Sequence, residues 1–497
     1  MARPRRPQFT PHRIDVSTRR LAPGLAPGRL LGSVLGLVLL LLLVLILIPG
    51  RSALGEGLRL ESAGATGEVL TLERAMELAV AHNRGLQAAA ARGDAARAGV
   101  DEARAARRPR VTAGGRYQRT NNPVFVFSNL LSQGNFQEQN FALDRLNNPE
   151  PLDHWQGRVD LAYPLWAGGR LRHGLDAAQE GAEATDGETR VARQELLRQV
   201  AAHYTTAVLA ERRRGVTAAA MAAAERHVAL ARDLFEHGLV VESDRLQAEV
   251  RRLAVAEEQL QAESAARVSR AALNRLLGRP LDTPYRLPAA AWADDRGAIE
   301  AIPPLAELVA AAHRLRPELQ VADHHRNAAT ERLLQERAER LPWVEAQAAV
   351  EANAGQIDDL FDPGDNWAVG VGLRVALFDG GRRRARVERA RAELAAVQFQ
   401  GEDLRSVIAL EVHQAHAALQ TAEARYEAAT RGVELAERSL AIVQDRYQEG
   451  LALMTELLET ETALTAARLR RETALGDRLR ARIDLRRATG RLTMGGL

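Results

Sequence analysis

The chain has 497 residues, 26% charged and 46% hydrophobic, with a formal net charge of +3 and a mean hydropathy of −0.24. Such a composition excludes a polytopic bundle of apolar membrane helices, and the lack of cysteine excludes disulfides, thiolate metal sites, thiol catalysis and a lipidated N-terminal cysteine. All 67 basic residues are Arg; seven fall within residues 1–29 beside a single acid, Asp15, and the rest of the chain is net −3, so nucleic acid is not an expected partner.

The N-terminus reads as an address. A basic segment precedes a 19-residue apolar run, Leu30–Ile48, which Pro49-Gly50 and small residues end. Residues 1–55 are therefore expected to be a signal peptide, with Ala53-Leu54-Gly55 as the cleavage region; the run is also long enough for a retained anchor. Residues 56–70 form a Gly-rich leader.

From Thr71, an N-cap residue, a helix is predicted toward Arg108, with Pro109 as its stop. Val111, Ala113 and Tyr117 then alternate with Thr112, Arg116 and Gln118, the period of a strand. A loop from Asn121 to His154 leads to a second alternating segment, Trp155–Leu165, apolar at Trp155, Val159, Leu161, Tyr163 and Leu165. A long helix follows, reverses at Gly238 and returns over Ser243–Leu277. Residues 279–303, rich in Pro, Ala and Asp, are a linker.

The order then repeats. Pro303-Pro304 opens a helix, Pro317 interrupts it and Pro342 ends it. Val344, Ala346, Ala348 and Val350 oppose Glu345, Gln347 and Glu351, and Trp367–Leu377 alternates throughout. The next helix carries an unbroken heptad seam from Ile408 and Val412 through Leu419, Val433 and Leu440 to Tyr447. From Arg382 it would measure on the order of 100 Å, too long for an ordinary globular domain. It reverses at Gly450 and returns over Thr455–Ala488.

Landmarks recur at an offset of 212: Trp155 with Trp367, Gly168-Gly169-Arg170 with Gly380-Gly381-Arg382, Gly238-Leu239 with Gly450-Leu451, and Gly278-Arg279 with Gly490-Arg491. Upstream the offset is 233, pairing Pro109 with Pro342. This is a duplication, with repeats at 71–278 and 304–492 and a tail at 493–497. Period two alone fits a half-buried soluble sheet equally well. Four strands, however, do not close a membrane barrel, and an open sheet in lipid leaves edge groups unsatisfied. Several copies must then share one barrel.

The residues resemble the TolC-type outer-membrane channel family over about Thr71 to Leu492. The resemblance rests on the junctions Tyr163–Arg170 and Val375–Arg382, the tips Phe235–Val240 and Arg446–Leu451, and the helix ends at Gly278 and Gly490. It implies an α+β membrane protein with four transmembrane strands per chain and long antiparallel helices. A homotrimer would form a 12-stranded β-barrel in outer-membrane lipid and an α-helical periplasmic tunnel. It further implies a passive exit channel for efflux or type I secretion, docking on a periplasmic adaptor (membrane fusion protein) and an inner-membrane pump of RND, ABC or MFS type. Carried over by position, Gly168, Gly169, Gly380 and Gly381 make the strand-to-helix junctions, and Gly238, Leu239, Gly450 and Leu451 the adaptor-docking tips. Glu456 and Glu459 would form acidic rings at the periplasmic gate, and Tyr447 with Asp244 a gate latch. The Arg that the family places two residues after the second tip glycine is replaced here by Ala452.

No catalytic constellation, cofactor motif or metal-ligand spacing emerges. His413 and His416 lack a third ligand, His324-His325 point to different faces, and the acidic loop Asp358–Asn366 reads as a polar turn rather than a calcium loop. The rival from another class is a periplasmic adaptor-like coiled-coil protein, which would need one hairpin rather than two.

Overall fold

The computed structural model describes residues 69–288, 302–361 and 364–493. The expected signal peptide, nearly all of the leader, most of the linker and residues 494–497 lie outside the described residues.

Helices dominate one compact unit, residues 64–113, 159–350 and 367–497. Its first helices are α1 (Leu72–His82) and α2 (Arg84–Ala105), where one continuous helix toward Arg108 is expected from the sequence. The break is Asn83, whose backbone is extended (φ −67°, ψ 121°). Its side-chain oxygen accepts from the Leu86 N–H at 3.1 Å, capping α2, and its amide nitrogen donates to the Leu276 carbonyl at 3.0 Å.

The strands are β1 (Arg110–Thr120), β2 (Leu152–Trp166), β3 (Trp343–Ala354) and β4 (Gly364–Arg374), paired in that order so that β1 and β4 are the edges. β4 stops short of the expected Leu377, since β3, its one partner in the sheet, begins at Trp343 and Pro342 before it has no N–H to give. The 121–154 segment, expected as a loop, contains two helices, α3 (Pro123–Ser132) and α4 (Leu143–Asn147). Asn122 caps α3, accepting from the Val124 N–H at 3.0 Å, and Pro123 takes the first helical position. Edge-to-face contacts join Phe127 to Phe136 and Phe136 to Phe141. The acidic loop forms a 3₁₀ turn over Asp358–Phe361. Within this second unit, residues 114–158 and 351–366, Gln133 ties β2 to β3, its amide donating to the carbonyls of Asp153 at 3.0 Å and Ala354 at 3.3 Å.

The long helices are α5 (Arg170–Glu236) and α6 (Glu242–Leu276) in the first repeat, with α9 (Arg382–Gln448) and α10 (Met454–Ala488) in the second. Between them lie α7 (Leu305–Leu315) and α8 (Pro317–Ala338). α5 and α9 each run 67 residues, α6 and α10 each 35. The heptad seam of α9 is buried at Ile408, Val412, Leu419, Ala422, Val433, Leu440 and Val443, where it meets α10. Side by side, the hairpin helices lie in the order α6, α5, α10, α9.

Candidate functional site

Both hairpins close by the same local chemistry. The Gly238 N–H donates to the Phe235 carbonyl and the Leu239 N–H to the Leu234 carbonyl, both at 2.9 Å. At the other tip the Gly450 N–H donates to Tyr447 at 3.0 Å and the Leu451 N–H to Arg446 at 2.7 Å. This paired pattern needs a left-handed residue at the turn, and the two glycines take φ of 72° and 74°. The next residues are apolar and uncovered: Leu239 is 72% exposed and Leu451 65%, with Val241 and Leu453 similarly bare.

The residues expected at a gate are placed unequally. Glu456, in the first turn of α10, is held by Arg446, whose guanidinium reaches its carboxylate at 3.1 Å and the Leu451 carbonyl at 3.1 Å. Glu459 is exposed and, among the described residues, makes no ion pair. The expected latch is not hydrogen-bonded in this conformation: the Tyr447 hydroxyl is buried without a partner. Burial, with the charge of Asp244 adding to it, pushes that hydroxyl above its ordinary 10.0.

At the opposite ends of the long helices, Gly168-Gly169 and Gly380-Gly381 turn strand into helix with φ between 60° and 89°. Gly168 is also sterically fixed, since a Cβ there would lie 2.5 Å from the Leu341 Cβ. Beside these junctions, β4 shows its apolar face to solvent at Trp367, Val369, Val371 and Leu373, each 68–73% exposed. The opposite face of the sheet is polar, with Arg158 paired to Glu351 and Gln156 donating to Glu351 at 3.3 Å. An apolar face uncovered on one side and an ionic one on the other is how strands divide between lipid and lumen.

His413 and His416 gather no third ligand among the described residues. His324 and His325, read from the sequence as facing apart, both meet α5, at Glu180 (2.8 Å) and Glu188 (3.3 Å). Adjacent helical residues diverge by about 100°, so α5 runs along a broad flank of α8. One mixed cluster escaped the sequence reading: His173, Asp176 and Glu331. Glu331 lies 158 residues beyond His173 along the chain, and the local His173–Asp176 spacing alone does not mark a third member.

Two membrane-type strand pairs and two long hairpins in tandem define an outer-membrane channel subunit rather than an adaptor with a single hairpin. The outer membrane efflux protein family model matches residues 75–279 and 308–491, and the chain belongs to that family, the TolC-type channels. It is 28% identical to protein CyaE of Bordetella pertussis over 314 residues, 63% of this chain and 65% of that one. To outer membrane efflux protein BepC of Brucella suis it is 24% identical over 146 residues, 29% and 32% of the two chains. The chain thus spans less than two thirds of the length of these relatives. Among solved structures it shares the fold of the outer-membrane channel OprN (TM-score 0.70, 23% identity, 84% and 89% covered). The outer membrane protein VceC of Vibrio cholerae is alike at TM-score 0.68, 22% identity and 84% and 96% coverage.

Proposed function

We propose that three copies of this chain form a passive exit conduit, closing a 12-stranded barrel in the outer membrane and joining their long hairpins into a periplasmic tunnel. The observation that carries this reading is that both parts of the chain are open-ended. β1 and β4 each have one unpaired edge, which in lipid costs several kcal/mol per unsatisfied group. In the row of helices the two end members carry uncovered apolar stripes: Leu246, Leu253 and Leu260 on α6, and Leu435 and Ile442 on α9. Their spacing of seven suits a coiled-coil partner. A neighbouring copy that lays its α9 against this α6, and its β4 against this β1, covers all four surfaces at once.

In this assembly Leu239, Val241, Leu451 and Leu453 offer bare apolar side chains to the adaptor's helical hairpin, and an inner-membrane pump delivers the substrate. Glu456 and Glu459 come round the mouth as rings, with Glu456 partly neutralised by Arg446. No residue is asked to do chemistry. Efflux and type I secretion both suit such a duct, and the pump decides the cargo.

Electrophoretic mobility of the outer-membrane fraction tests this. An unboiled sample is expected to run as a trimer and to shift to the monomer on boiling. A band that runs as monomer without heating, or recovery from the inner membrane alone, overturns the proposal.

A further inference from the structure

His173 and Asp176 stand three residues apart on α5 and so share a face; Glu331 reaches the same point from α8. The His173 Nδ1 and a Glu331 carboxylate oxygen are 2.7 Å apart, and one ligating atom from each of the three residues lies within 4.8 Å of the others. All three side chains are half-buried, at 25–36% exposure, enclosed enough to be positioned and open enough for an ion and its waters to enter.

Glycines let the backbone approach closely beside the cluster. Gly169 has no side chain where a Cβ would come within 3.5 Å of the His173 ring, and Gly174 has none where a Cβ would come within 3.2 Å of the Gln335 amide. Gln335 sits one turn beyond Glu331 on α8. Two carboxylates converge here, and among the described residues the arginine that pairs with them is Arg172, 3.6 Å from Asp176 and itself 76% exposed, a weak compensation. The duplicated architecture does not require the group: at the offset of 212 the second repeat has Ala385 and Glu388.

We propose that His173, Asp176 and Glu331 form a binding site for a borderline first-row divalent cation, with Zn²⁺ as the reference ion. One imidazole and two carboxylates with open positions for water suit Zn²⁺, Co²⁺ or Ni²⁺, whereas an all-oxygen set would suit Mg²⁺ or Ca²⁺. Because α5 belongs to the first repeat and α8 to the second, the bound ion staples the two repeats beside the Gly168-Gly169 junction. The His173–Glu331 hydrogen bond holds the ligands together until the ion replaces its proton.

The test uses the untagged full chain isolated from membranes in detergent and freed of metal by chelation. Co²⁺ is titrated by visible absorption and Zn²⁺ by calorimetry. The wild-type chain is expected to bind one ion per chain. Loss of an outer-shell partner alone already costs a metal site roughly 10–100-fold in affinity. His173→Ala and Asp176→Asn should therefore weaken binding by at least about tenfold, while His413→Ala leaves it unchanged. Glu331→Gln keeps a hydrogen-bonding partner for His173 and so guards against misfolding; with its helical circular dichroism intact it should show the same loss. A wild-type chain that takes up neither ion, or site variants that bind as the wild type does, would overturn the proposal.

Discussion

The two repeats solve one structural problem with different chemistry. Each short helix pair must break so that its second helix can run along the long helices, and each break is tied to the end of a return helix. In the first repeat the tie is neutral, from the Asn83 amide to the Leu276 carbonyl. In the second, Arg316 occupies the position equivalent to Asn83, extended because Pro317 follows it. Its guanidinium donates to the Ala488 carbonyl at 3.3 Å, the counterpart of Leu276. Only 3% exposed, Arg316 also pairs with Glu318 and Glu411, each at 2.7 Å, and Arg487 closes the network on Glu411 at 2.6 Å. The backbone geometry is shared while the group holding it is neutral in one repeat and ionic in the other, which makes the second tie costlier to break and sensitive to acid.

The largest expected effect follows directly. Arg316→Ala takes the buried cation from two half-buried carboxylates, which then keep Arg487 alone, and should cost about 3 kcal/mol. Asn83→Ala leaves one carbonyl and one helix-terminal N–H unpaired and should cost about 1–3 kcal/mol. Thermal unfolding of both variants in detergent checks the order; equal losses would mean that the ionic network adds nothing beyond the bond to Ala488.

Glycines sharpen the same comparison. Gly278 and Gly490 both take positive φ, 69° and 72°, where an L-residue costs roughly 1–2 kcal/mol. A Cβ at Gly278 would also lie 2.5 Å from the His82 carbonyl oxygen, and one at Gly490 2.9 Å from the Leu315 carbonyl carbon; His82 and Leu315 are themselves equivalent. At the tips, a Cβ on Gly238 or Gly450 meets open space. Substitution by Ala should therefore lower the melting temperature most at Gly278, somewhat less at Gly490, and at Gly238 and Gly450 by the conformational cost alone.

Acid should separate the repeats more gently. Burial alone would raise the Glu318 carboxyl, but the hydrogen bond from Arg316, a backbone N–H and the charge of Arg487 outweigh it and hold the group below its ordinary 4.5. A depressed carboxyl lends stability that is fully present above 4.5 and is lost as pH falls through the lower folded value. Hydrogen exchange across residues 311–319, corrected for intrinsic rates, should accelerate below pH 4.5 relative to residues 78–87. Parallel acceleration of both segments would place the acid sensitivity elsewhere.

What the sequence made legible was what is local or repeated. Alternation marks β1 to β4, the heptad seam marks α9, and the paired glycines mark tips and junctions, because each depends on neighbours within a few residues. The break at Asn83 has only a capping side chain as its local signal, and the bond that ties it, to Leu276, spans 193 positions; in the second repeat Pro317 announces the same break by itself. The helix α3 has a local signal, Asn122-Pro123, a capping side chain followed by a first-turn proline. At the candidate gate, the sequence places Glu456 and Glu459 together on one turn and so treats them alike. It cannot say that Arg446, ten residues back across a tip, turns toward one of them only.

That inequality gives the finest prediction, and it applies where these residues ring a conducting mouth. Glu459 carries an uncompensated charge, whereas the charge of Glu456 is met at 3.1 Å by Arg446. Fixed carboxylates at a constriction favour cations, so Glu459→Gln should lower the cation-over-anion permeability ratio, and Glu456→Gln should lower it less. Exposed pairs are only partly effective and are screened by salt, so each change should be roughly two- to fivefold at low ionic strength. Arg446→Ala should move the ratio the other way, because it releases Glu456 while leaving Glu459 untouched. Reversal potentials in planar bilayers measure all three. Equal effects of the two Gln substitutions would show that Arg446 leaves Glu456 in the conducting state, and a rise absent in Arg446→Ala would show that Glu456 does not face the mouth.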